Sequence, residues 1–176
     1  MTVVFAQPTI NERYEIEGTS NSVFGSVVST DSCYFVIGVH GSLPTGYDKM
    51  GHFIKFDLNG AINSVSVIDQ DTLGFDLWQG NNLIKTLDNN FASFSIAKLI
   101  SETTMYNYIK IAPNGDTLIV SYIDQFHVED LNNGKAPSTL IQNADSTYYG
   151  LIHVQHSESY LIGFTFYRLD KHGNLM

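Results

Sequence analysis

The sequence predicts an all-β fold built from antiparallel four-stranded units, and three observations carry that expectation. Short runs rich in Val, Ile, Phe, Tyr and Thr are separated by clusters of Gly, Asn, Asp and Ser, and no helical stripe runs longer than two turns. Three times an aromatic and apolar strand passes into a basic residue, an apolar residue and a tight glycine turn: Phe53-Ile54-Lys55-Phe56-Asp57-Leu58-Asn59-Gly60, Tyr108-Ile109-Lys110-Ile111-Ala112-Pro113-Asn114-Gly115, and Phe166-Tyr167-Arg168-Leu169-Asp170-Lys171-His172-Gly173. The turn glycines are 55 and 58 positions apart, the spacing expected of one supersecondary unit repeated in series.

Val3-Val4-Phe5-Ala6-Gln7 looks like the end of a secretory signal, an apolar stretch closing on a small residue, so residues 1–7 read as a signal remnant and 8–176 as the folded domain. The other reading of this stretch is an ordinary first strand. Residues 8–21 form a leading segment that can pair with an edge strand. The first unit then offers strands near Ser22 to Ser29, Cys33 to His40, His52 to Asp57 and Ala61 to Ile68. The second offers Leu83 to Leu87, Phe91 to Leu99, Tyr106 to Ile111 and Thr117 to Ile123, and the third Tyr149 to Val154, Tyr160 to Phe164 and Phe166 to Asp170. Asn59-Gly60 and Asn114-Gly115 predict two-residue type I′ hairpins, which need positive φ at both positions. A weaker echo, a polar turn before an aromatic strand, appears at Asp31 to Tyr34, Asp88 to Phe91 and Ser157 to Tyr160, with Tyr160-Leu161-Ile162-Gly163 fitting Phe35-Val36-Ile37-Gly38 equally well.

Within the third strand of each unit, alternation puts Ile54 and Phe56, Ile109 and Ile111, and Tyr167 and Leu169 on one face. Phe53, Tyr108 and Phe166 share the other face with the basic residue, so both faces carry apolar weight. That is expected of sheets stacked on both sides. Four-stranded antiparallel units at this spacing are the signature of propeller blades, and the chain reads as a partial β-propeller of about two and three-quarter blades. A β-sandwich is the alternative. Closed propellers usually have at least about four blades, so a longer protein of which this is an N-terminal fragment is expected.

Composition narrows the function classes. At 176 residues the expectation is one domain, and Cys33, the single cysteine, excludes an internal disulfide framework. The net charge is −9 and the lysines and arginines are scattered, which argues against a nucleic-acid partner, since a phosphate backbone requires a basic stripe. No apolar run approaches the roughly 20 residues needed to cross a bilayer as a helix.

Cys33-Tyr34-Phe35-Val36-Ile37-Gly38, together with Phe53-Ile54-Lys55-Phe56-Asp57-Leu58-Asn59-Gly60-Ala61-Ile62, resembles the two halves of the unit found in secreted repeat proteins of Bacteroidota, often exported by the type IX system. The Phe5-Ala6-Gln7 ending is similar to signal-peptide ends in that group. The likeness covers most of residues 22–176. It implies a secreted or cell-surface propeller and transfers no catalytic residue; the separate sorting domain typical of the family is not visible in this sequence.

The common catalytic and nucleotide-binding signatures, G-x-S-x-G, G-x-G-x-x-G, the phosphate loop and H-E-x-x-H, do not occur. Asp69-Gln70-Asp71-Thr72-Leu73-Gly74 has the alternating carboxylates and glycine of a calcium loop, but Leu73 stands at the third ligand position and Gly80 at the closing acid, so a solvated connector is the better reading. His153 and His156 would lie on opposite faces of a strand, and Asp124, His127 and Glu129 read as surface polar positions. No metal site, cofactor or catalytic residue is expected.

Tyr47, Phe75, Trp78 and Tyr148 are loop aromatics that offer stacking faces to a sugar or peptide, against a background reading of aromatic packing between sheets. Lys55, Lys110 and Arg168 read as solvated or inter-sheet charges. The expected function is a non-enzymatic, secreted or cell-surface scaffold binding a protein or glycan. A propeller hydrolase or lyase acting on a polysaccharide is the rival, and a structural spacer the third reading.

Overall fold

Among the described residues five tight turns share one design, each gathering a backbone N–H and a backbone carbonyl across five residues, and four of them join consecutive strands. The computed structural model describes residues 21–41, 49–68, 74–76, 83–98, 103–127, 136–155 and 162–176. These residues form antiparallel sheets, and no helix occurs among them.

The first sheet runs in the order β1 (Asn21–Ser29), β2 (Cys33–Gly41), β3 (Lys49–Asp57), β4 (Ile62–Ile68). In the second, β5 (Gly74–Asp76) and β6 (Leu83–Lys85) pair with opposite ends of β7 (Phe91–Lys98), so together they fill the place of one interrupted edge strand. The second sheet continues through β8 (Thr103–Ile111) and β9 (Thr117–His127). The third contains β10 (Ala136–Gln142), β11 (Tyr148–Gln155) and β12 (Ile162–Leu169), after which Leu169 and Leu175 form an isolated antiparallel bridge. None of the sheets closes on itself.

The turn joining β3 to β4 shows the shared design. Gly60 N–H donates to Asp57 O (3.1 Å), Asp57 N–H donates to Ala61 O (2.9 Å), and the Asp57 carboxylate accepts the N–H groups of Asn59 and Ala61 at 2.8 Å each. Only Gly60 is left-handed, at φ 90°, so this is a type I turn followed by a glycine bulge and not the expected type I′ hairpin. The same backbone bonds recur at 112–116 and 170–174, with Gly115 at φ 97° and Gly173 at φ 80°. They recur again at 86–90 and 143–147, where Asn89 (φ 61°) and Ser146 (φ 65°) take the glycine's place.

Sheet stacking forms the core. One cluster joins Cys33, Phe35, Ile37, Val39, Phe53 and Ile68 of the first sheet to Leu83, Phe91, Ile109 and Ile111 of the second. Its aromatic centre is Phe91, 4.2 Å from Phe35 and 5.2 Å from Phe53 between ring centroids. A second cluster joins Ala92, Phe94, Ile96, Tyr106 and Tyr108 on the opposite face of the second sheet to Leu140, Tyr148, Ile152 and Leu169 of the third. The middle sheet is thus apolar on both faces, as the alternation of Tyr108 against Ile109 and Ile111 predicts. Each fully buried aromatic or aliphatic side chain contributes about 1.5–3 kcal/mol by removal from water.

The third sheet departs from the sequence reading. β12 is continuous from Ile162 to Leu169, paired throughout with β11, where two strands separated at Thr165 were expected. The backbone bonds of the 86–90 turn recur at Asn143 to Thr147, so Tyr148 is the counterpart of Phe91, while Ser157 to Tyr160 lie outside the described residues. β10 was not among the expected strands; its Pro137 is tolerated because β10 is at the edge of the third sheet, with a register shift between Pro137 and Thr139.

Candidate functional site

A cleft of about 240 Å³ opens where the turns of the second and third sheets meet, lined by Asp88, Lys110, Ile119, Gln142, Ser146, Tyr148, Lys171 and His172. Each polar group arrives there through local backbone geometry. Asp88 sits inside the 86–90 turn, which the left-handed Asn89 closes. Its carboxylate accepts hydrogen bonds from Thr86 Oγ1 (2.5 Å), Asn90 Nδ2 (3.1 Å) and Lys110 Nζ (2.6 Å). Lys110 comes from β8, its stem buried and its ammonium carried out to Asp88.

The third sheet supplies the opposite wall. Gln142, the last residue of β10, accepts the Leu87 N–H at Oε1 (2.8 Å) and donates from Nε2 to Tyr148 Oη (3.0 Å). One amide therefore ties the 86–90 turn of the second sheet to the first residue of β11. Lys171 and His172 stand exposed on the 170–174 turn, whose Asp170 carboxylate accepts the N–H groups of His172 (2.8 Å) and Asn174 (2.9 Å).

The electrostatics follow from these contacts. Partial burial tends to raise the Asp88 pKa, but the hydrogen bonds from Lys110, Thr86 and Asn90 and the Lys110 charge outweigh it and hold the group at about 2. Burial pushes the Tyr108 hydroxyl well up from its ordinary value, and Tyr148 and the charges of Asp88 and Asp170 add to the effect. The side-chain and backbone hydrogen bonds of Thr147 lower Asp145, with Arg168 contributing, while the Asn174 side chain leads the lowering of Asp170. Near neutral pH the cleft therefore presents the fixed Asp88 carboxylate beside the Lys110 and Lys171 side chains, an amide and hydroxyls.

Of the aromatics singled out in the sequence, Tyr47 and Trp78 lie outside the described residues. Phe75 belongs to β5, its backbone paired with Ala97, rather than to a loop. Tyr148 is no exposed loop ring either: it opens β11, is fully buried, and packs 5.0 Å from the Tyr108 ring centroid. Its hydroxyl is held by Gln142, so its contribution to the cleft is polar rather than a stacking face. The alternation of β11 explains the error, because Tyr148, Gly150 and Ile152 all face the second sheet.

Asp69 to Leu73, Glu129 and His156 fall outside the described residues, and Gly74 begins β5. Asp124 and His127 lie on β9 and His153 on β11. Among the described residues no group of three His, Cys, Asp or Glu side chains is placed to hold a metal ion. Among the described residues no helix is long and apolar enough to cross a membrane.

The sequence reading did not pick out Gln142, Ser146 or Lys171 as site residues. Lys110 was visible as one of the basic trio, and Asp88 as part of a polar turn before an aromatic strand. Their pairing across 22 residues emerges only when the 86–90 turn folds over β8. Lys55 behaves differently, its Nζ lying 5.7 Å above the Phe35 ring, a cation–π contact within the first sheet. No protein-family model matches this chain, and no curated protein matches it.

Proposed function

We propose that the sheets are blades of a partial β-propeller and that the protein is a non-enzymatic scaffold, secreted or held at the cell surface, whose turn-end cleft takes one hydroxyl-rich unit of a glycan. The state of Asp88 carries this reading. A carboxylate held at about 2 by three donors keeps its charge at neutral pH, so it is suited to accepting hydrogen bonds from a ligand and not to giving or taking protons. Gln142, Ser146 and the exposed Lys171 and His172 add donors and acceptors around a space sized for a single sugar ring. A location outside the cytoplasm is supported by the likeness of Val3 to Gln7 to a signal-peptide end.

The test is titration of the protein with a panel of mono- and oligosaccharides, followed by amide chemical shifts and by product analysis. Saturable shifts confined to residues 86–90, 142–148 and 170–174, weakened at least tenfold by Lys171→Ala and without turnover, are expected. Glycan cleavage abolished by Asp88→Asn would replace the scaffold reading with the hydrolase or lyase one.

A further inference from the structure

The outer face of the third sheet repeats, position for position, a surface that the first two sheets keep covered. Directly opposite one another across the second and third strands stand Ile37 and Phe53 in the first sheet, Phe94 and Tyr108 in the second, and Leu151 and Phe166 in the third. Opposite the basic residue stand Phe35, Ala92 and Tyr149, facing Lys55, Lys110 and Arg168 respectively. Phe53 is 2% exposed and Tyr108 is 0% exposed, each covered by the following sheet, whereas Phe166 is 69% exposed. Phe164 and Ile141 are exposed on the same face, and together these side chains make an apolar surface of the kind that marks an interaction site.

The covering surface is equally regular. The second sheet covers the first with Phe91, which stands opposite Ile111; the third covers the second with Tyr148, which stands opposite Leu169. A glycine turn from the covering sheet completes each contact, Gly115 against Ser66 and Gly173 against Tyr108. The charge relation recurs as well: Lys110 pairs with Asp88, and Arg168 lies close enough to Asp145 to help lower its pKa.

We infer that the outer face of the third sheet is a docking surface for a further antiparallel sheet of this same pattern, one presenting an aromatic residue opposite an aliphatic one and a glycine-closed five-residue turn. The contact is continuous with two interfaces of the same construction, and that continuity selects the occupant. It is independent of what the turn-end cleft binds.

A thiol-accessibility experiment tests this. Phe164→Cys places a reporter on the outer face while Phe166 stays intact, and the natural Cys33 is buried. Reaction with an aromatic disulfide reagent is timed in the 176-residue chain and in the same chain followed directly after Met176 by a second copy of residues 119–176, with Leu118→Cys as an exposed control. Reaction of the reporter at least tenfold slower in the extended chain, an unchanged control, and restoration by Phe166→Glu or by Tyr148→Ser in the appended copy are the expected results. Equal rates in the two chains overturn the proposal, including the case in which circular dichroism shows the appended copy unstructured. Protection that grows with concentration in the unextended chain also overturns it, since a second molecule's outer face would then be the occupant.

Discussion

Gly150 of β11 lies against the ring of Phe94 in β7, so close that a Cβ at Gly150 would stand 2.7 Å from Phe94 Cε1. This contact sets how near the third sheet comes to the second. The turn glycine Gly173 makes a similar approach to the Tyr108 ring and in addition needs its positive φ of 80°.

Two glycine substitutions should therefore separate steric from backbone effects. Gly150→Ala should cost about 1–3 kcal/mol through overpacking alone. Gly173→Ala should cost more, by roughly 1–2 kcal/mol, because the left-handed conformation adds its own penalty. Urea denaturation of both variants checks the order, and a Gly173→Ala loss no larger than that of Gly150→Ala would refute it.

Ser146 adopts φ 65° without the freedom of glycine. Ser146→Gly should raise stability by about 0.5–1 kcal/mol, the relief of left-handed strain being partly offset by the greater entropy of the unfolded chain. Asn89→Gly should gain less, since asparagine tolerates this region better than serine does. A pair of thermal melts decides it.

Protonation of Asp88 gives the acid side of the stability curve. Its folded pKa, about 2, is depressed below the ordinary 3.8, so its stabilising contribution is fully present above about pH 4. The contribution falls as pH drops toward 2, because the unfolded chain then binds the proton more readily. Lys110→Met removes the ammonium that helps hold the carboxylate ionised and should flatten the change in denaturant midpoint between pH 4 and pH 2. An unaltered slope would show that Lys110 does not set the Asp88 pKa.

Phe94 and Phe166 are aromatic residues with opposite fates, the first buried and the second exposed. Phe94→Ala should cost about 3–5 kcal/mol by opening a cavity between the second and third sheets. In the 176-residue chain Phe166→Ser should change stability by no more than about 0.5 kcal/mol, its ring being largely in water. Equilibrium unfolding monitored by far-ultraviolet circular dichroism distinguishes these outcomes.

Local pattern carried the sequence reading where strand alternation and turn chemistry acted over a few residues. The runs Cys33 to His40 and Tyr106 to Ile111 became β2 and part of β8, the expected run from Phe91 became β7 as far as Lys98, and Gly60, Gly115 and Gly173 proved to be turn residues of positive φ. The reading failed where partner strands decide. Pro137 is acceptable because β10 pairs on one side only within the third sheet, and Asn59 keeps negative φ because the bulge at Gly60 absorbs the twist.

An all-β chain, apolar on both faces of its middle strands and punctuated by glycine turns, was determined by residue order alone, because period-two alternation and left-handed glycine are properties of a few adjacent residues. Which aromatic faces water and which faces another sheet was decided only by stacking: Tyr108 and Phe166 each stand two residues before a basic one, yet a sheet covers the first and leaves the second exposed. The cleft has the same origin. Asp88, Lys110, Gln142 and Lys171 lie on two strands and two turns of the second and third sheets, and packing Gly150 against Phe94 brings their separate segments to one end.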